Sequence, residues 1–111
     1  MASTYVRHFN LRSSLTDAEI AAYWKFLLKD FLPAIAAVEG VHSVKVYSGA
    51  GALRADIRLV AEMEHAGIYE GLLRNPSVGK HLGKFYGGMD LTTSSQRFIR
   101  EVTTDLLKAL S

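Results

Sequence analysis

Between Leu53 and Met63 the chain alternates in two classes, with Leu53, Ala55, Ile57, Leu59 and Ala61 on one parity and Arg54, Asp56 and Arg58 on the other. Successive side chains of a strand point to opposite faces, so this stretch reads as a strand with one buried face and one charged face. A sheet built around such a strand is covered on one side only. That requirement favours an antiparallel sheet with helices against its apolar face.

The flanking sequence supplies the other strands. Thr4 to Leu11 is rich in strand formers (Tyr5, Val6, Phe9) and runs into the polar turn Arg12-Ser13-Ser14. Val41 to Ser48 carries Val44 and Val46 around Lys45, with Tyr47 following, and Ser48-Gly49-Ala50-Gly51 has the backbone freedom for a hairpin into the alternating strand. Thr92 to Glu101 reads as a fourth strand.

Two helical regions separate these strands. Thr16-Asp17-Ala18-Glu19 has the residues of a capping box, and Ile20, Tyr23, Trp24, Leu27, Phe31, Ile35 and Val38 follow at helical spacing. Pro33 lacks an amide and crowds the preceding turn, which predicts a kink or restart near Leu32, and Gly40 fits a left-handed cap. From Glu64 the helical period returns with Ala66, Tyr69, Leu72 and Leu73. Asn75-Pro76 then starts a second segment carrying Val78, His81, Leu82 and Phe85, stopped by Gly87-Gly88. Thr103 to Leu110 has the cap and residues of a short C-terminal helix, with fraying or packing on a partner subunit as equal alternatives. The order is βαββαβ in a single α+β domain spanning residues 1–111, with a four-stranded antiparallel sheet and helices on one face.

Composition narrows the chemistry. The chain has 111 residues, 49% hydrophobic and 22% charged, the profile of a folded domain, and a formal charge of only +2, which gives no case for a polyanionic partner. It contains no cysteine, which removes disulfides, thiol nucleophiles and cysteine-rich zinc sites. No apolar run approaches about 18 residues, so no membrane span is expected. Met1-Ala2-Ser3-Thr4 has no signal-peptide pattern, and a cytoplasmic location is the expectation. RNA-recognition modules share the strand order, but they stack bases on aromatics of strands one and three. Arg54, Asp56, Arg58 and Val60 offer no such platform, so nucleic acid is not an expected partner.

Val38-Glu39-Gly40-Val41-His42-Ser43-Val44, as a helix exit into strand two, and Leu73-Arg74-Asn75-Pro76-Ser77-Val78, as a broken second helix, resemble the dimeric α+β barrel superfamily. That superfamily is ferredoxin-like in fold. It includes antibiotic-biosynthesis-type monooxygenases, haem-degrading oxygenases, polyketide cyclases and stress-responsive barrel domains. The resemblance implies a homodimer with sheet faces together, helices outside and a pocket between sheet and helices. Where cyclase-like members carry a histidine two residues after the proline, this chain has Val78. The haem-degrading members resemble it at His81 and, approximately, at Asn10, while the sole tryptophan, Trp24, lies in the first helix.

His81 shares a helical face with Val78, Leu82 and Phe85 and is the candidate catalytic acid or base, set against a histidine that merely packs at the edge of an apolar stripe. Trp24, Tyr23, Tyr69, Tyr86 and His8 are candidate substrate-binding residues, with ordinary core packing as the alternative for the aromatics. Arg54, Asp56 and Arg58 are candidate dimer-interface residues on one face of strand three. No histidine pair has chelating i, i+4 spacing on a helix, so no metal is expected, and no cofactor is assigned. The leading function is binding of a small apolar or aromatic molecule, with cofactor-independent monooxygenation of an aromatic or polyketide-like compound as its enzymatic form. The alternative is a non-catalytic structural or ligand-sensing dimer. A pocket of about 300 Å³ or more beside His81 favours the enzyme, and a packed interior favours the alternative.

Overall fold

Strand parity decides where the core lies. The computed structural model describes residues 2–49 and 53–110. Strands β1 (Ser3–Phe9), β2 (Val41–Tyr47), β3 (Ile57–Met63) and β4 (Ser95–Ile99) form one antiparallel sheet in the order β2-β3-β1-β4. Ile57, Leu59, Ala61 and Met63 of β3 and Tyr5 and Phe9 of β1 are buried on one face, while Arg58 and Glu62 stay exposed on the other. The helices are α1 (Asp17–Phe26), α2 (Leu32–Ala36), α3 (Ile68–Arg74), α4 (Pro76–Gly87) and α5 (Thr104–Lys108). The hairpin residues Ala50 and Gly51 lie outside the described residues.

The first helix starts as its capping box dictates. The Glu19 amide donates to Thr16 Oγ1 at 3.2 Å and the Thr16 amide to Glu19 Oε1 at 2.9 Å. Between α1 and α2 the chain makes a wide π turn, Leu27–Phe31, in which the Leu32 amide reaches back five residues to the Leu27 carbonyl. Pro33 accounts for it: a regular turn would drive the proline ring into the Lys29 carbonyl, and the extra residue relieves that contact. Leu27, Phe31 and Ile35 still reach the core, so the interruption changes helical register without losing the buried stripe.

Four boundaries differ from the pattern-based expectation. β3 begins at Ile57, not Leu53, because Asp56 adopts a left-handed backbone (φ 53°) and breaks the extended run. Asn10 Oδ1 accepts from the Asp56 amide at 2.8 Å and holds that corner. Leu53 and Ala55 are consequently exposed and not part of the core. β1 ends at Phe9, leaving Leu11 in a single bridge to Met89. β4 is shorter than Thr92–Glu101 because the Asp90 side chain accepts from both the amide and the hydroxyl of Thr92, making a turn there. α3 begins at Ile68, four residues after Glu64.

Asn75 Oδ1 accepts from the Ser77 amide and caps α4, with Pro76 at its first position. Thr103 caps α5 in the same way, through the Leu106 amide. Among the described residues no helix is long and apolar enough to cross a membrane.

Gly40 links α2 to β2 at φ +91°, where a side chain would both strain the backbone and place its Cβ 2.5 Å from Ile68 Cδ1. Gly40→Ala is expected to destabilise the fold by about 1–3 kcal/mol, seen as a lower urea midpoint with unchanged slope. An unchanged midpoint would show that the turn and Ile68 yield freely.

Candidate functional site

A cavity of about 40 Å³ lies between the core face of the sheet and helices α3 and α4. Tyr5, Leu59, Ala61 and Met63 form its sheet wall, and Tyr69, Leu72, Leu73, Val78, Leu82, Phe85 and Tyr86 its helical wall, with Phe31 and Ile35 at the end. That volume suits a water molecule, whereas a benzene-sized guest occupies a cavity of about 150 Å³. The open pocket expected of a preformed enzyme site is therefore not present in this conformation.

The two walls differ in firmness. The sheet wall sits on the central strands. α3 is seven residues long, has no side-chain cap at its N-terminus and fully buries only Leu72. Tyr69 and Leu82 are half-buried and Leu73 is exposed, so the helical wall borders solvent. Besides Leu72, α3 is held by Ile68 and by Tyr69, whose ring packs on Tyr5 and Phe98 at 4.8 and 5.4 Å.

At the edge of the cavity lies a polar cluster that sequence reading missed. Tyr5 Oη donates to Gln96 Oε1 at 2.8 Å, Tyr69 Oη donates to the same oxygen at 3.2 Å, and Arg7 Nε donates to Tyr5 Oη at 2.9 Å. The Arg7 guanidinium lies 5.2 Å from the centroid of the Tyr86 ring. Burial pushes the Tyr5 hydroxyl well above its ordinary pKa, only partly countered by Arg7, so the phenol stays protonated. A signal for this cluster did exist: Arg7 falls between Tyr5 and Phe9 on the apolar parity of β1, and its neighbour across the sheet is Gln96. Alternation alone would have marked the cation as inward-facing.

The candidate residues separate into several environments. Tyr69 and Tyr86 line the cavity. Tyr23 is a buried core residue whose hydroxyl donates to the Phe85 carbonyl at 2.7 Å, and Trp24 Nε1 donates to the Leu53 carbonyl at 2.8 Å, tying α1 to the segment before β3. His81 stands edge-on to Phe26 and Phe31, with ring centroids 5.6 and 6.3 Å away, and is not among the residues lining the cavity. His8 is on the opposite face of the sheet from that cavity, because its parity is that of Val6, not that of Tyr5 and Phe9.

That second face is open and holds a broad hollow of about 880 Å³ bordered by Val6, His8, Tyr47, Asp56, Arg58 and Ile99 among others. His8 Nε2 donates to Asp56 Oδ1 at 2.8 Å, and Arg58 approaches the same oxygen at 3.2 Å. The His8 hydrogen bond, with help from the Arg58 charge, holds the Asp56 carboxyl below its ordinary pKa. Arg54 does not join them. It turns toward α1, donating to the Leu15 carbonyl at 3.1 Å and pairing with Asp17 at 3.0 Å, because the left-handed corner at Asp56 takes it out of the strand. Among the described residues no cluster of three metal-ligating side chains forms.

No protein-family model matches the chain, and no curated protein sequence does. Solved structures do match in shape. SnoaB of Streptomyces nogalater, a cofactor-independent oxygenase, superimposes with a TM-score of 0.69 at 14% identity, covering 93% of this chain and 95% of its own. Rv0793 of Mycobacterium tuberculosis gives 0.71 at 11% identity over 93% and 97%. A dimeric ferredoxin-like protein of unknown function from Thermobifida fusca gives 0.70 at 16% identity over 91% and 92%. The chain therefore has a ferredoxin-like α+β fold. At these identities the likeness carries the fold alone.

A carboxyl whose folded pKa is depressed stabilises the fold above its unfolded value, and that contribution disappears as pH falls through the folded value. For Asp56, whose ordinary value is 3.8, the loss falls in acid below about pH 4. Asp56→Asn tolerates the same left-handed backbone and removes the titration. Its melting temperature is expected to fall less than that of the parent chain between pH 6 and pH 3. Equal losses would dismiss the His8–Asp56 contact as a source of acid sensitivity.

Proposed function

We propose that the protein is a homodimer, joined through its open sheet faces, in which each subunit binds a small apolar or aromatic molecule between the sheet and α3–α4. The observation that carries this reading is the aromatic cavity with tyrosine hydroxyls at its border and a short helix, bordering solvent, as one wall. Such a site is apolar with a few convergent polar groups, the usual make-up of a small-molecule pocket. Because the cavity holds only about 40 Å³, the ligand is accommodated as α3 moves outward, and ligand-free and ligand-bound states differ in the position of that helix.

Cofactor-independent oxygenation, the activity of the Streptomyces protein, is the enzymatic form of this reading. The cavity lining contains tyrosine hydroxyls but no carboxylate or imidazole, a composition that fits binding and sensing better than general acid–base turnover. On this reading His81 serves packing against Phe26 and Phe31. A cytoplasmic setting is consistent with a chain that has no cysteine.

The dimer is supported by the chemistry of the open face. Val6 lies between Val60 and Arg97 in the sheet register, and Ile99 and Tyr47 expose apolar surface nearby. Acidic Asp56 and Glu62 share this face with basic Lys45, Arg58 and Arg97. A two-fold axis would bring opposite charges together around the valine patch.

Two measurements test the reading. N-phenyl-1-naphthylamine, a neutral aromatic fluorophore, is expected to brighten on saturable binding. Ala61→Leu, which fills the cavity from the sheet side, should weaken that binding by at least about tenfold. Undiminished binding would put the ligand elsewhere. Val60→Glu places an acid in the centre of the open face, and sedimentation should then report a monomer where the parent chain is a dimer. A parent chain that sediments as a monomer would remove the assembly.

A further inference from the structure

β1 presents Tyr5, Arg7 and Phe9 in alternation on its helix-facing side, so a cation stands between two buried aromatic side chains of a central strand. Arg7 is itself half-buried, and a partly desolvated guanidinium gains from each acceptor or counter-charge within its reach. Here the N–H groups are partly satisfied and the charge is not met. Beside the Tyr5 contact, one terminal nitrogen donates to Ser94 Oγ at 2.7 Å and the other to Gln96 Oε1 at 2.7 Å. All three acceptors are neutral, and Tyr5 cannot become a phenolate near neutral pH. Ion pairs among the described residues join His8 and Arg58 to Asp56 and Arg54 to Asp17, and none includes Arg7.

The hydrogen-bond count leaves a specific opening. A guanidinium has five N–H groups; three make these hydrogen bonds and Tyr69 lies beside the fork as a further partner, which leaves at most one N–H on each terminal nitrogen for a ligand. Its face rests near Tyr86, and both Tyr5 and Tyr86 also line the cavity, so the free donors and the apolar space share two residues. The Arg7 side chain is braced by neighbours on β1, β4 and the segment before β4, which keeps the fork oriented before any ligand arrives.

Resting on the cavity reading above, we infer that the ligand is an aromatic anion, its ring between the sheet and α3–α4 and its carboxylate or equivalent oxyanion on Arg7. The ring supplies the apolar burial that opens the cavity, and the anion supplies the charge that Arg7 lacks. A neutral aromatic of the same shape gains the first and forgoes the second.

Calorimetric titration with 2-naphthoate and with its neutral isostere 2-naphthamide separates these contributions. In the parent chain naphthoate is expected to bind at least about tenfold more tightly than naphthamide. Arg7→Gln should abolish the preference by weakening naphthoate alone, and Arg7→Lys, which keeps the charge without the fork, should restore part of it. Should Arg7→Gln fail to fold, the acid-to-amide ratio in the parent chain still decides. Equal binding of the two compounds, with Ala61→Leu weakening both, would overturn the anion preference while leaving the cavity intact. Binding of neither, or binding insensitive to Ala61→Leu, would overturn the cavity and the anion preference together.

Discussion

The pairing of β1 with β3 in the middle of the sheet governs the rest of the structure. In that register Phe9 faces Ile57 and Tyr5 faces Ala61, so one side of the two central strands is apolar at every position but Arg7 and its edge, and must be covered. The helices meet that demand with Leu27, Phe31, Val78 and Phe85. Phe9 meets Phe85 edge-on at 5.5 Å and Phe31 stacks on Phe85 at 4.6 Å, which ties both helical regions to one strand. Slipping the register by one residue would turn Arg58 and Glu62 into this core, so the pairing is strongly specified.

One-sided coverage leaves two surfaces of different shape. The covered side contains the cavity, bordered by α3 and edged by the Arg7 cluster. The uncovered side carries the His8–Asp56–Arg58 group and the Val6–Val60 pair, and its shallow hollow suits contact with another sheet better than enclosure of a small molecule. The proposed division, assembly on one face and ligand on the other, rests on their shapes, since a small ligand needs concave enclosure and an assembly face needs breadth.

Local signals with a mechanism translated directly into structure. The Thr16–Glu19 box, the Asn75-Pro76 start, the left-handed Gly40 and the disturbance ahead of Pro33 each act within a few residues, and each is found where the sequence puts it. The failures share a cause as well. Leu53 to Asp56 continues the alternation on paper, but tertiary hydrogen bonds from Asn10, Leu11 and Trp24 fold that segment back toward the helices, taking Arg54 with it. His8 and His81 are both candidate site residues on paper, and only the assembled sheet puts His8 on the face opposite the cavity.

Local propensity and hydrophobic period, which depend on nearest neighbours along the chain, determined the element order, the one-sided sheet, the helix starts and the apolar face of each element. Tertiary structure decided what those faces meet: that Tyr23 and Trp24 spend their polar atoms on backbone carbonyls, that His81 lies among phenylalanines, and that Arg7 gathers Tyr5, Ser94 and Gln96 from segments nearly ninety residues apart. Contacts at that separation arise from strand order and register. Those are set by the simultaneous burial of every apolar face, which no single stretch of sequence contains.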